Sequence, residues 1–166
     1  MRLLHPQNLL LLTITSVVAI VPATAQKPVK PQSPAEVVFV CEHGAAKSVI
    51  AAAYFNKMAA ERGLPQRAIA RGVHPDPTYA PAVVQGLKND GITVENGRPE
   101  LVGGKDLTSA AHIVTLGCKL PQAPSAKSDL RTWDEVNMSD GYAAARDAIA
   151  KRVQQLIQEL SARKQQ

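Results

Sequence analysis

The chain is poor in the residues that would commit it to several common functions. Of its 166 residues only two are cysteine, Cys41 and Cys118, and 4% are aromatic. Two cysteines are too few for a disulfide-built scaffold and enough for one bridge or one reactive thiol. The net charge of +5 arises from 19 Lys and Arg against 14 Asp and Glu, dispersed without a basic run. With so few aromatics to stack on bases, nucleic-acid binding finds no support. Four histidines are scattered without metal-ligand spacing, so neither a metal nor a cofactor is expected. The apolar stretch from Leu9 to Val21 is about 13 residues, whereas a bilayer span takes about 20. No repeat is visible.

That stretch is preceded by Arg2 and followed by Pro22-Ala23-Thr24-Ala25. These are the n-region, h-region and small-residue cleavage site of a secretory signal. Cleavage after Ala25 is expected, giving an exported protein, periplasmic or secreted, with no membrane association after processing. Residues 26–34, QKPVKPQSP, read as a flexible linker. Residues 35–162 then form one domain, of open oligomeric state. Loss of residues 1–25 lowers the charge to +4, a weak general attraction for anions. In an oxidising compartment, two exposed cysteines within reach of each other can be joined.

Val37-Val38-Phe39-Val40, ending at Cys41, is an uninterrupted apolar run that suits a strand buried on both faces of a parallel sheet. From Ser48, apolar positions recur at three and four residues until Gly63 and Pro65 supply a stop, predicting a helix over 48–62. A strand is predicted at 68–73, a helix at 81–89 with Pro81 at its start and Gly91 beyond its end, and a buried strand at 112–116. Ala145, Ile149, Val153, Leu156 and Leu160 share one face of a helix over 142–160. Strands alternating with helices predict an α/β fold with a doubly wound parallel sheet.

The first strand and helix are joined by Cys41-Glu42-His43-Gly44-Ala45-Ala46-Lys47-Ser48. At such a turn the backbone N–H groups and the helix N-terminus converge, a site for phosphate or another oxyanion. Cys41 heads the loop in the same positive field, which favours a thiolate and a nucleophilic role over that of an inert buried cysteine. Ser48 is placed to donate to the sulfur. His43 is either a phosphate donor or a solvent-facing loop side chain. A cation at a helix start is electrostatically disfavoured, and a nearby anion would relieve Lys47.

The stretch VVFVCEHGAAKSVIAAAYF resembles the signature of the low-molecular-weight tyrosine phosphatase and arsenate reductase superfamily, a Cys, five residues, then Arg-Ser opening a helix. ARGVHPDPTYAPAVVQGLKNDGI and AHIVTLGC extend the likeness over roughly residues 36 to 160. It implies a three-layer α/β/α domain with a four-stranded parallel sheet. It also implies a phosphate monoester hydrolase, acting on phosphotyrosine or a small aryl phosphate, in which Cys41 attacks phosphorus. The chain departs from the family in two places. Lys47 replaces the arginine that clamps phosphoryl oxygens, and an ammonium is a point charge rather than a planar fork. Gly44 replaces the loop asparagine, and its lost side chain predicts a less rigid loop.

The family's acid, an aspartate in a late loop, falls on Asp134 by position, although the usual following proline is absent. Asp140 is the reserve and reads more simply as a turn or N-cap residue. Cys118 follows a parallel strand and so emerges at the same sheet edge as Cys41. Arsenate reductases of the superfamily carry redox cysteines near that place, which makes Cys118 a possible redox partner or else a cysteine without a role. His112, at a strand start, reads as structural. Three functions stay open: a phosphatase using Cys41, Lys47 and Asp134; a thiol-dependent arsenate reductase-like protein using Cys41 and Cys118; and a non-catalytic oxyanion-binding module.

Overall fold

A computed structural model describes residues 37–94 and 97–163. The expected signal segment 1–25, the expected linker 26–34 and the first two positions of the expected domain lie outside the described residues.

Four strands form one parallel sheet: β1 (Val37–Cys41), β2 (Ala68–Gly72), β3 (His112–Thr115) and β4 (Asp129–Thr132). Their order is β2-β1-β3-β4, which puts β1 inside the sheet. Every residue of β1 is buried, as its unbroken apolar run requires. Its side chains alternate between two cores. Val37, Phe39 and Cys41 face α1 (Lys47–Glu61), α2 (Pro81–Asn89) and α4 (Gly141–Arg163). Val38 and Val40 face the layer that contains α3 (Gly104–Ser109) and Val102. The molecule is thus the three-layer α/β/α domain with a four-stranded parallel sheet.

Phe39 anchors the larger core. Its ring lies 6.1 Å from that of Phe55 and 5.6 Å from that of Trp133, both tilted. Burying an aromatic of this kind contributes about 1.5–3 kcal/mol. Ala145, Ile149, Val153, Leu156 and Leu160 all lie buried against the sheet from α4, so the stripe in the sequence is the packing face. Across the top of this layer, Asp90 accepts hydrogen bonds from the Tyr54 and Tyr142 hydroxyls and pairs with Arg146 at 2.9 Å.

Helix and strand limits depart from the expected ones by a residue or so, except that α4 runs three residues beyond the expected end. Leu116 N–H still donates to Val40 O at 2.8 Å, one step beyond the end of β3. Asp140 lies in a turn before α4, closed by Gly141 N–H on Met138 O, and its carboxylate accepts from the Ser139 hydroxyl. His112 is 7% exposed and meets Asp129 at 3.1 Å at the starts of β3 and β4. That is the edge of the sheet remote from Cys41, and the contact is structural.

Candidate phosphate-binding site

Cys41 ends β1 and is buried, 3% exposed. The chain turns through residues 42–46 and enters α1 at Lys47, so the first N–H groups of a 15-residue helix are aimed at the loop. Ser48, fully buried in the first turn of α1, brings its Oγ to 3.1 Å from Cys41 Sγ. Among the described residues no acceptor is found for the backbone N–H groups of residues 42–48. The loop carbonyls, by contrast, are taken. Val73, His74, Asp76 and Ala80 donate their N–H groups to the carbonyls of Cys41, Glu42, His43 and Ala45 at 2.8–3.1 Å. With its carbonyls turned outward onto this segment, the loop leaves donors for an oxyanion.

Gly44 has φ +61°, a left-handed conformation that costs little only without a side chain. A Cβ there would also stand 2.8 Å from Gly72 N. The loop lies directly on the end of β2, backbone against backbone.

The Lys47 side chain crosses Gly117, which is in the left-handed region, and its Nζ donates to Val136 O at 3.4 Å. The conflict between an ammonium and a helix start is thus eased by a carbonyl of the late loop. That loop is the one containing Asp134, two residues past β4, exposed and without a hydrogen-bond partner among the described residues. Lys47 so joins the phosphate loop to the segment of the candidate acid.

His43 is 61% exposed and meets Asp76 at 3.4 Å, while His74 pairs with Glu42 at 2.7 Å. His43 thus stands at the solvent-facing rim of the loop. Cys118 follows β3 to the same edge of the sheet as Cys41. Its thiol packs with the opposite core and donates to Val40 O at 3.4 Å. Burial pushes this thiol up to about 11, with the neighbouring Cys41 and Glu42 adding to the effect. Both thiols are free. Among the described residues no three His, Cys, Asp or Glu side chains converge as metal ligands would.

Sequence reasoning missed Gly72, Gly117 and Val136. A glycine at a strand end and another two residues past a strand were visible in the sequence, but their partners are 28 and 70 residues away. Val136 acts through its carbonyl, which every residue possesses.

A buried cysteine at the head of a βα loop, with unpaired amides and a helix start facing one point, marks a phosphate-loop domain of the low-molecular-weight phosphatase type. The chain belongs to the low molecular weight phosphotyrosine protein phosphatase family, whose model matches residues 36–166. Among solved structures it is similar to a thioredoxin-dependent arsenate reductase from Corynebacterium glutamicum, at 21% identity and TM-score 0.69, over 78% of this chain and 64% of that one. This chain thus spans less than two thirds of that relative's length. It is also similar to a low molecular weight protein tyrosine phosphatase from T. tengcongensis, at 20% identity and TM-score 0.66, over 75% of this chain and 99% of that one. An arsenate reductase from Archaeoglobus fulgidus aligns at 27% identity and TM-score 0.59, over 73% of this chain and 98% of that one. No curated protein matches the chain.

Proposed function

We propose that the protein is an exported phosphate monoester hydrolase, acting on phosphotyrosine or a small aryl phosphate through a cysteinyl-phosphate intermediate. The observation that carries the reading is Cys41 Sγ, 3.1 Å from the Ser48 hydroxyl, at the head of a loop whose amides have no acceptor among the described residues. A Ser48 O–H aimed at sulfur stabilises the thiolate. The sulfur attacks phosphorus as the bond to the leaving oxygen breaks, and Asp134 gives that oxygen its proton. Water then attacks phosphorus, losing a proton to Asp134, and as the new O–P bond forms the S–P bond breaks, releasing inorganic phosphate and restoring the thiolate. Throughout, loop amides and Lys47 hold the equatorial oxygens. Relatives of this fold include an arsenate reductase in a phosphate-binding state and an arginine phosphatase with a phosphorylated active-site serine. Both support an oxyanion as the loop's ligand.

A second reading is a non-catalytic oxyanion-binding module. What favours it is that Lys47 rests on Val136 O, in a position where the family carries an arginine.

The test is the domain without residues 1–25, assayed with an aryl phosphate and, separately, with arsenate plus thiol, each against Cys41→Ser. Aryl phosphate turnover lost in Cys41→Ser supports the hydrolase. Turnover of arsenate alone moves the assignment to the reductase, and turnover of neither moves it to the binding module.

A further inference from the structure

The contact between Gly44 and Gly72 is reciprocal. A Cβ built on Gly44 would stand 2.8 Å from Gly72 N, and one built on Gly72 would stand 2.7 Å from Gly44 N and 2.9 Å from the His43 carbonyl carbon. Real Cβ atoms essentially never come that close, and the atoms met are backbone, which cannot swing aside. Gly72 is not left-handed, so its need for glycine is one of space alone.

The two sides of this contact are held with unequal firmness. Gly72 ends β2 in register with Cys41. Its N–H donates to Glu100 O and its carbonyl accepts from Val102 N–H, both at 2.8 Å, so the segment at 100–102 braces it from the side away from the loop. Just beyond it, the N–H groups of Val73, His74 and Asp76 hold the loop carbonyls of Cys41, Glu42 and His43 in order. The loop is the element expected to yield when the two are pushed apart, because Gly72 is held through both its N–H and its carbonyl while the loop's own N–H groups have no acceptor among the described residues. An outward shift of a few tenths of an ångström at Gly44 moves its amide away from the point on which its neighbours converge.

From this geometry we infer that Gly72, with the main chain that follows it, is the back wall that sets the shape of the oxyanion loop, and that Gly72 is a positioning residue for Cys41 and the loop amides. The inference rests on the loop's being an oxyanion site, as proposed above. It extends that reading to a residue outside the loop that touches neither substrate nor thiol.

The test is inorganic phosphate binding by the protein without residues 1–25, measured by titration calorimetry at 25 °C alongside thermal melting. Gly72→Ala is expected to weaken phosphate by about tenfold or more, the loss of one charge-assisted hydrogen bond. The increment in Tm that saturating phosphate gives should shrink in step. A merely structural glycine would lower the melting temperature of the free protein and leave the phosphate Kd where it was, and that result overturns the inference. Should Gly72→Ala fail to fold, His74→Pro deletes the N–H that donates to Glu42 O at an exposed position, with His74→Ala as the control for the side chain. Phosphate binding equal in these two variants also overturns the inference. A wild type that binds no phosphate overturns the oxyanion reading itself, whereas a wild type and Gly72→Ala that bind equally overturn only the role of Gly72.

Discussion

The ammonium of Lys47 donates to the carbonyl oxygen of Val136 at 3.4 Å, across a sequence separation of 89 residues. The bond is long for its type, at the weak end of N–H to O contacts. The ammonium passes close over Gly117, where a Cβ would stand 2.9 Å from Nζ. An anion in the loop offers Lys47 a full negative charge in place of a carbonyl dipole. Binding is therefore expected to draw the side chain off Val136 and release the loop of Asp134 from its tether.

The consequences for Lys47 are open to direct measurement. A guanidinium holds two equatorial oxygens of the transition state where the ammonium holds one, so Lys47→Arg should raise aryl phosphate turnover by about tenfold. Lys47→Ala should abolish turnover and weaken phosphate binding together. Steady-state rates of the three proteins decide the matter. Equal inactivity in all three, with phosphate still raising the Tm of the wild type, leaves the binding module standing.

Cys118 is expected to be a poor attacking thiol. With its titration pushed up to about 11 by burial, roughly one molecule in ten thousand carries the thiolate at pH 7. After brief peroxide treatment at neutral pH, peptide mapping should find Cys118 still a free thiol. Cys118→Ser should hydrolyse aryl phosphate within about twofold of the wild type. A Cys41–Cys118 linked peptide formed at pH 7, or loss of arsenate reduction in Cys118→Ser, would favour the redox reading instead.

Asp90 is expected to stabilise the fold in a pH-dependent way. The hydrogen bond from Tyr142, then those from Tyr54 and Arg146, hold its carboxyl below the ordinary 3.8 against the opposing effect of burial. A carboxyl lowered by folding contributes fully above its unfolded value and loses that contribution as pH falls through the folded one. Asp90→Asn should therefore cost about 1–3 kcal/mol at pH 7 and progressively less below about pH 4. Urea melts of both proteins from pH 7 down to pH 3 test this, and a difference that stays constant over the range would count against it.

Export should yield a chain beginning at Gln26. Mass spectrometry of protein recovered from outside the cytoplasm reads the N-terminus directly. A mature form that retains Met1 or Leu12 would show that the apolar stretch is not a cleaved signal.

The elements that the sequence makes plain are those whose burial is local in origin. Five apolar residues in a row announce β1, Pro81 and Gly91 bracket α2, and a repeating stripe declares α4. The strand β4 escapes such reading because Asp129 and Arg131 alternate with Leu130, itself 47% exposed, on an outer strand held by pairing with β3 rather than by its own side chains. The helix α3 buries only Leu107 and starts on glycines, too little for a helical period to register. At the site, the Cys41-to-Ser48 loop was legible because cysteine, glycine and lysine each carry a chemical signature. Gly72 was not, since the need for glycine there is set by a backbone 28 residues distant.

The four main-chain bonds that residues 73–80 make to the loop carbonyls involve no side chain at all. A cradle fixed in that way is indifferent to most of what is written on it. The side chains of residues 42 and 43, at the rim, can change without touching these bonds, whereas Ala45 is buried and Ala46 packs against the larger core. On the proposed reading, oxyanion capture by the main chain and turnover by Cys41, Lys47 and Asp134 are separable properties, since one or two side-chain changes would alter the second and leave the first in place.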